Sequence, residues 1–410
     1  MRIALTANGP GEVAGWVRPL LAALLRLAPE TEATLFLVPD DYATGREAEV
    51  MRRLFPTIAV VAPAEYVRFA LGRERSGREA LGRMDVVQYL GGDLAHAARV
   101  RTRLGGELRS YKFARPRLAA TIARAYAIDA RNVRELERAK LPARKILEIG
   151  NLAIDGALGE AAGDFAPSGI DAELAPGAVL FLPGNRRLEL ANMVPMFLET
   201  AWRLRERRPD LHCGFAISAF ANEHDIARAA NGGGHRNAWS ERGRVVPLGA
   251  GLGLQSDRGG APFPIVRDAM RHASRAAFAV TLPGTKCIEL AALGVPALVV
   301  TPLNAPEVAV INGIFQYVDR IPALTPLKRA LVVGVDRRFA RVAQPNIDAD
   351  AFLMPELRGT QMPGELARRI AAYAGEASAR AEASAKLRAL YAAHVGAAER
   401  MARDLLEAHA

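Results

Sequence analysis

The sequence predicts an α/β protein built from two Rossmann-like, doubly wound domains and closed by C-terminal helices. Short apolar runs alternate with segments whose apolar residues recur at helical spacing, which is the pattern of βαβ units. Glycine-rich or proline-rich turns directly follow many of the apolar runs. The chain has 410 residues, which is too long for one typical core, so we expect about two domains of about 150 to 200 residues.

A change in composition marks the boundary between the two predicted domains. Residues 156–177 are rich in Gly, Ala and Pro and lack strong periodicity. We therefore predict an N-terminal domain over residues 1–160, a linker over 161–177 and a second domain over 178–365. Residues 366–410 favour helix, and we expect these C-terminal helices to pack back on the N-terminal domain.

The charge of the chain indicates anionic partners. Lys and Arg number 54 against 44 Asp and Glu. Nucleic acid, an anionic membrane surface and a phosphorylated substrate all fit this excess, as does a generally arginine-rich proteome, and charge does not choose among them. Cys213 and Cys287 lack CxxC spacing and clustered histidines, so neither a structural zinc site nor a disulfide framework is predicted.

The N-terminus and the apolar runs bear on localisation. Only a handful of apolar residues precede Asn8, which leaves no room for a signal peptide. No apolar run reaches the ~18 residues of a membrane-spanning helix. We expect a cytoplasmic protein that is at most peripheral to the membrane.

The first strand, residues 2–6, leads into a glycine-rich loop that precedes a helix over residues 16–27. Gly9, Gly11 and Gly15 give GxGxxxG with a proline inside, which matches a dinucleotide-binding fingerprint poorly. We interpret the stretch as a substrate loop. Further strands are predicted at residues 34–39, 58–61, 85–90, 125–130 and 146–149, with helices at 46–55 and 132–139.

Asp93 follows the strand at residues 85–90 and two glycines, which places it at the carboxyl edge of a parallel sheet, where ligands bind. A carboxylate there can take a proton from an attacking hydroxyl or orient a substrate. The alternative is that Asp93 caps the helix beginning at Leu94. His96 lies within one turn and can assist, although a single histidine on a helix is more often structural.

In the second domain a strand at residues 178–182 runs directly into Pro183-Gly184-Asn185-Arg186-Arg187. A glycine turn with two guanidinium groups is a suitable phosphate grip, because arginine supplies forked donors that stay charged. The remaining elements are predicted as a helix at 193–207, a strand at 211–218, a mobile loop at 249–260 and a helix at 266–272.

A second anion site is predicted after the strand at residues 276–282. Gly284 permits a tight turn, and Thr285 is expected to cap the following helix, whose first amides then face a ligand. Glu289 lies about one turn further on, where it can accept hydrogen bonds from vicinal hydroxyls. Phosphate plus diol indicates a nucleotide, while the alternative is an ordinary capped helix.

Six blocks of the sequence resemble, in order and near the right spacing, the lipid A disaccharide synthases, which are inverting glycosyltransferases of the GT-B architecture. The resemblance covers most of the chain, from Gly11 to about Leu366. The blocks are Gly11-Glu12-Val13-Ala14-Gly15, Gly92-Asp93, Ile149-Gly150-Asn151 with Asp155, Leu182-Pro183-Gly184-Asn185-Arg186 with Glu189, Pro283-Gly284-Thr285 with Glu289, and Pro345-Asn346 with Pro355-Glu356-Leu357.

The resemblance implies a UDP-sugar donor in the second domain, a lipid or acyl-sugar acceptor in the first, and neither a metal nor another cofactor. It implies Asp93 as the catalytic candidate, with Glu12 and His96 behind it. The implied donor-binding residues are Gly184, Asn185, Arg186, Gly284, Thr285, Glu289 and Asn346. The implied acceptor-side residues are Gly11, Gly15 and Asn151.

The chain also departs from the family pattern. Trp16 and His96 stand where the family has aspartates, Pro283 stands where it has a serine, and residues 303–342 are longer and more basic. Two alternatives therefore stay open, a UDP-sugar 2-epimerase of the same fold and a non-catalytic envelope-associated binding protein.

The basic stretch 111–117 is expected to meet an anionic membrane surface, with Tyr111 and Phe113 in the headgroup layer. A solvated basic face is the commoner explanation of such a segment. Nucleic acid is not an expected partner, and a homodimer is left open.

Overall fold

The computed structural model describes residues 1–40, 43–73, 81–167, 169–232, 242–302 and 340–408. The chain forms two compact units. Unit 1 comprises Met1–Gly159, Asp164–Ala166 and Ala392–Ala410. Unit 2 comprises Glu160–Gly163 and Pro167–Tyr391.

The strands of both units alternate with helices along the chain. The strands are β1 (Arg2–Ala7), β2 (Glu32–Leu37), β3 (Ala59–Val61), β4 (Val86–Tyr89), β5 (Glu107–Tyr111), β6 (Ile122–Ala127), β7 (Ile146–Glu148), β8 (Val179–Leu182), β9 (Cys213–Ala216), β10 (Gly243–Leu248), β11 (Gly251–Ser256), β12 (Phe263–Val266), β13 (Phe278–Thr281), β14 (Ala297–Pro302) and β15 (Glu356–Gly359). The helices are α1 (Pro10–Glu12), α2 (Arg18–Leu27), α3 (Glu47–Leu54), α4 (Pro63–Leu71), α5 (Leu94–Leu104), α6 (Ala130–Arg138), α7 (Leu152–Ala162), α8 (Arg187–Arg207), α9 (Glu223–Ala230), α10 (Ala269–Ala273), α11 (Thr285–Ala292), α12 (Gln344–Asp348), α13 (Pro363–Gly375), α14 (Ala377–Tyr391) and α15 (Ala397–Glu407).

Unit 1 is built on a parallel sheet of seven strands in the order β3-β2-β1-β4-β5-β6-β7. Apolar residues fill the sheet because helices cover both faces of a parallel sheet; all four residues of β4, for example, are buried. The chain winds outward from β1 through β2 to β3 and then crosses to β4 on the other side. The winding direction therefore reverses between β1 and β4.

The last helix, α15, belongs to unit 1 and packs against α2. Its N-cap residue is Gly396, which has no side chain to cap it. Asp155 on α7 replaces that side chain, since its carboxylate accepts hydrogen bonds from the backbone N–H groups of Gly396 at 2.7 Å and Ala398 at 2.6 Å. Arg400 adds two bonds to the Ile149 carbonyl, at 2.8 and 2.6 Å. The stretch from Ile149 to Asp155 thus anchors the end of the chain.

Unit 2 is built on an eight-stranded sheet in the order β10-β11-β12-β9-β8-β13-β14-β15. Its pairs are parallel except for β10 with β11 and β11 with β12, which are antiparallel. The chain starts at β8, winds to one side through β9, and returns to β13 on the other side. The winding reverses between β8 and β13, so the predicted class of two doubly wound domains is confirmed.

The structure corrects three predicted segments. Residues 249–260 were expected to form a mobile loop, but most of them form β11, which makes a hairpin with β10. Gly251 is needed there because a Cβ would lie 2.4 Å from the backbone nitrogen of Ala172. The helix predicted at residues 266–272 is the end of β12 followed by α10. The first helix begins at Pro10, six residues before the predicted start.

The C-terminal helices divide between the two units. Helices α13 and α14 group with unit 2, and α15 groups with unit 1. Residues 303–339, which include most of the segment expected to be longer and more basic than in the family, lie outside the described residues. Within the described part of the chain, no helix is both long and apolar enough to cross a membrane.

Candidate functional site

The catalytic candidates of unit 1 lie beside the switch point of its sheet, where the winding direction reverses between β1 and β4. Thr6 near the end of β1 pairs with Tyr89 at the end of β4, so the chain leaves both strands at the same carboxyl edge. Glu12 follows β1 and Asp93 follows β4. In doubly wound sheets ligands bind at this switch point, because the two loops diverge and leave a crevice. The structure therefore brings Glu12 and Asp93 to the edge where the sequence placed them.

Two residues that the sequence analysis missed, Asn8 and Asp40, complete this edge. Asn8 Nδ2 donates to Asp40 Oδ2 at 3.2 Å. Asn8 Oδ1 is buried, and the described residues supply no partner for it. Glycines let these groups approach the backbone, since a Cβ on Gly9 would lie 2.9 Å from Asp40 Oδ2 and one on Gly91 would lie 2.8 Å from Glu12 Cγ. Both residues come within three positions of the end of a strand, and this position in the sequence could have identified them as candidates.

The glycine-rich stretch after β1 is helical, not a loop. Proline fits the first helical position, and a π segment over Val13–Val17 joins α1 to α2. Gly15 lies in the π segment, where a Cβ would be 3.6 Å from Ala153 Cβ, whereas a Cβ on Gly11 would meet nothing within 4 Å. Single π turns inside helices are frequent at functional sites, and the substrate-binding role of this segment stays a prediction.

Asp93 caps helix α5 and also carries an ion pair. Its Oδ1 accepts from the Ala95 N–H at 2.9 Å, and its Oδ2 lies 2.9 Å from the guanidinium of Arg115. Asp93 therefore caps α5, as the alternative to a catalytic role predicted. The side chain remains 41% exposed, so a ligand can still reach the carboxylate.

His96 is held by a tyrosine from another helix. The Tyr66 hydroxyl lies 2.8 Å from His96 Nδ1, and the rings meet edge to face at 5.2 Å between centroids. Burial lowers the pKa of His96 below its ordinary value, although the charge of Asp93 opposes this. Burial also raises the pKa of Tyr66 to about 12. Burial therefore favours the uncharged form of both side chains.

Asn151, predicted on the acceptor side, has a structural role in unit 1. It is only 8% exposed, and its Oδ1 accepts from the Ala153 N–H at 3.1 Å and from the Tyr111 hydroxyl at 3.3 Å. Tyr111 is 1% exposed, and its hydroxyl accepts from the Leu152 N–H. The expectation that Tyr111 enters a membrane is therefore wrong, because it faces the core from the end of β5.

The first donor candidates of unit 2 follow β8 at its switch point. Leu182 pairs with Thr281, so β8 and β13 end side by side. Glu189 Oε2 accepts from the N–H groups of Asn185 at 2.8 Å and Arg186 at 3.1 Å. Its Oε1 lies 3.4 Å from the guanidinium of Arg186, whose side chain is 33% exposed. An internal carboxylate thus holds the loop amides and also pairs with the partly exposed side chain of Arg186.

The second donor candidates follow β13. Gly284 is the N-cap residue with φ +151°, and Thr285 is the first residue of α11 without a side-chain cap, which corrects its predicted role. The Glu289 side chain is 8% exposed and lies 2.5 Å from Lys286 Nζ. Burial raises the pKa of the neighbouring Cys287 thiol to about 12, so this cysteine is not a nucleophile at neutral pH.

Asn346, predicted to bind the donor, is fully buried. Its Nδ2 donates to the Met354 carbonyl at 2.7 Å and to Glu356 Oε1 at 2.9 Å, and its Oδ1 accepts from the Met354 N–H at 2.8 Å. These bonds use the amide to hold the turn before β15, so direct contact with a donor is not supported. Among the described residues, no three His, Cys, Asp or Glu side chains form a group that could hold a metal ion.

Comparison with known proteins gives a short sequence match and a broad structural one. No family model matches the chain. The lipid-A-disaccharide synthase of Geobacter sulfurreducens is 29% identical over 130 residues, which are 31% of this chain and 27% of that protein. The match thus spans about a quarter of that relative's length.

Solved structures match over nearly the whole chain. UDP-GlcNAc 2-epimerase from Neisseria meningitidis bound to UDP-GlcNAc has a TM-score of 0.56 at 11% identity, with 99% of this chain and 100% of that chain covered. The glycotransferase of kitacinnamycin has a TM-score of 0.51 at 17% identity, with 99% and 98% covered. These likenesses define the class of fold: the chain has the GT-B fold, with two Rossmann-like halves.

Substituting Gly92 by Ala tests the packing of the unit 1 edge. Gly92 has φ +83°, and a Cβ there would lie 2.5 Å from Val38 Cγ2. We expect Gly92→Ala to lower the free energy of unfolding by about 1 to 4 kcal/mol, from backbone strain and overpacking together. Gly11→Ala is the matched control, since it meets open space, and it should be neutral or slightly stabilising. Urea unfolding measures both, and equal stabilities would contradict the described packing.

Proposed function

We propose that this protein is a glycosyltransferase, similar to lipid A disaccharide synthase, that uses a UDP-sugar. It would transfer glucosamine, acylated or not, or N-acetylglucosamine to a lipid-linked or acylated sugar acceptor. The proposal is based on where the resembling blocks lie in the fold. Four of the six blocks that resemble the synthase family, those that follow β1, β4, β8 and β13, lie at the switch points of the two sheets, where doubly wound folds bind ligands. The partial match to a lipid-A-disaccharide synthase supports the choice of acceptor.

The donor half of the proposal rests on unit 2. A diphosphate would receive hydrogen bonds from the first amides of α11 and from the guanidinium of Arg186, whose side chain is partly exposed. Both groups stabilise the negative charge that develops on departing UDP, and this requires no metal. Glu289 lies inside the first turns of α11, where its carboxylate would accept a ribose hydroxyl. Lys286 fixes the orientation of that carboxylate.

The acceptor half of the proposal rests on unit 1. Asp93 would remove the proton of the acceptor hydroxyl, whose oxygen then attacks the anomeric carbon as the bond to UDP breaks. The carbon is inverted in one displacement, and the proton ends on the carboxylate. The Arg115 ion pair and the α5 cap hold Asp93 in one orientation. Glu12 at the same edge is the second candidate for the base.

A UDP-sugar 2-epimerase is the second candidate function. The observation that favours it is the Neisseria epimerase, which matches the fold over 99% of this chain. Incubation with UDP-GlcNAc alone separates the two activities, because an epimerase converts it to an isomeric UDP-sugar and a transferase at most hydrolyses it slowly. A mass-spectrometric screen of lipid extract with candidate UDP-sugars then tests transfer. Retained UDP binding without turnover in either assay would indicate a non-catalytic binding protein.

The proposed acceptor places the protein at the cytoplasmic face of a membrane. Phe113 is 41% exposed, and Lys112, Arg115 and Arg117 beside it are exposed as well. An aromatic residue among cations suits an anionic leaflet, where each cation contributes about 1 kcal/mol. This basic segment, residues 112–117, is therefore the proposed membrane contact.

Arg186→Ala tests the donor site. Removing a charged donor from the diphosphate should weaken UDP binding by about 1.5 to 3 kcal/mol, the range for hydrogen bonds to charged groups. Arg187→Ala is the adjacent control, because Arg187 is 65% exposed and pairs with Asp225. Calorimetric titration with UDP measures both variants. Unchanged affinity in Arg186→Ala would remove Arg186 from the donor site.

Asp93→Asn separates catalysis from helix capping. Asparagine caps a helix about as well as aspartate, so α5 should keep its start and the melting temperature should change little. Loss of the basic carboxylate should lower turnover by ~10² or more, with UDP affinity unchanged. Turnover close to the parent value, with a clear loss of thermal stability, would instead assign Asp93 to capping alone.

Replacing Lys112, Arg115 and Arg117 by Ser tests the membrane contact. The parent should sediment with anionic liposomes and less so as salt rises, since the attraction is screened within about 10 Å at 0.1 M salt. The triple variant should lose this binding and keep its UDP affinity. A matched control replaces three exposed arginines of α6 in the same unit, Arg131, Arg134 and Arg138. Equal sedimentation of both variants would place the contact elsewhere.

A further inference from the structure

Tyr66 and His96 form a contact that neither the sequence motifs nor the proposed chemistry uses. Tyr66 lies on α4 and is 2% exposed, and His96 lies in the first turn of α5, three residues after Asp93. A hydrogen bond joins the Tyr66 hydroxyl to His96 Nδ1, at 2.8 Å. The edge-to-face contact of the rings fixes the tilt of the imidazole as well. The imidazole is therefore held through one specific nitrogen.

The chemistry of the two groups decides which of them donates the proton. The Tyr66 phenol stays protonated because burial disfavours its anion, and this outweighs the opposing charge of Arg99. A buried hydroxyl hydrogen needs an acceptor, and in the described part of the chain that acceptor is His96 Nδ1. If Nδ1 carried the hydrogen instead, the hydroxyl would accept one bond and leave its own hydrogen unbonded. The neutral imidazole then carries its single hydrogen on Nε2.

We propose that Tyr66 is a positioning residue that holds His96 in the Nε2–H tautomer, so that His96 presents a hydrogen-bond donor and not a base beside Asp93. The charged groups that act on this pair are Asp93 on the same helix and Arg99 near Tyr66. Proton removal is left to a carboxylate at this edge. If the proposed function holds, His96 Nε2–H donates a hydrogen bond to an oxygen of the sugar acceptor.

The tautomer can be measured without any substrate. The full-length chain labelled with [15N]histidine gives long-range proton–nitrogen correlations that show which ring nitrogen carries the hydrogen, and His96→Gln assigns the signal. At pH 8 we expect the parent to show His96 as the Nε2–H form. Tyr66→Phe keeps the ring contact but removes the hydroxyl, so the share of the Nδ1–H form should rise several-fold.

Tyr391→Phe is the matched control for this measurement. Tyr391 is 4% exposed, and its hydroxyl donates to Asp348 at 2.7 Å, so its loss removes a comparable part-buried bond of a residue that belongs to unit 2. The His96 signal should not change in this variant. An Nδ1–H form in the parent, or an unchanged tautomer in Tyr66→Phe, would overturn the proposal.

Turnover gives a second readout that distinguishes donor from base. Glutamine can still donate from its amide, so His96→Gln should keep more activity than His96→Ala, which should lose about tenfold. If His96 acted as a base, both variants would lose the same activity, because neither glutamine nor alanine can take up the proton. A donor at Nε2 also persists when the ring is protonated, so the effect of His96→Ala should be the same at pH 6 and pH 8. If no UDP-sugar turnover is found, the proposed function fails while the tautomer measurement still decides the role of Tyr66.

Discussion

The reversal of winding in each parallel sheet is the constraint on which the rest of the structure depends. Parallel neighbours must be joined by crossovers over a sheet face, so a chain that starts in the middle of a sheet covers one face on its way out and the other face after it returns. The loops at the reversal therefore diverge, between β1 and β4 in unit 1 and between β8 and β13 in unit 2. Helix N-termini, glycines and most of the candidate polar side chains lie at these two points, whereas Asn151 follows β7 and Asn346 precedes β15.

Carboxylates at these edges bind backbone N–H groups at the starts of helices. Asp93 accepts from the first turn of α5, and Glu189 in the first turn of α8 accepts from the preceding amides of Asn185 and Arg186. A ligand anion at the β8 loop meets a site whose amides already have an acceptor, and it must bind the guanidinium or displace Glu189. Hydrogen bonds from the loop amides to Glu189 keep the loop ordered. A ligand that displaces Glu189 must bind with a free energy that exceeds the loss of these bonds.

The hydrophobic pattern was sufficient to predict the fold class and most strands, because buried parallel strands are continuous apolar runs. It failed at β11, whose Gly251 was taken as a sign of mobility but is required by the close approach of Ala172. The resemblance implied that Asn346 binds the donor, yet its buried contacts depend on a turn that spacing does not reveal. Tyr66 was missed because its partner is 30 residues away in sequence.

The anchoring of α15 by Asp155 has a consequence for synthesis. The helix that completes unit 1 is made only after the 225 residues of Pro167–Tyr391, which form most of unit 2. At about 5 to 20 residues per second, the ribosome needs roughly 10 to 45 s to make that stretch. During this time the face of α2 that α15 covers stays open, and the carboxylate of Asp155 has no helix to cap. The N-terminal half of the chain can therefore complete its native packing only once synthesis reaches α15.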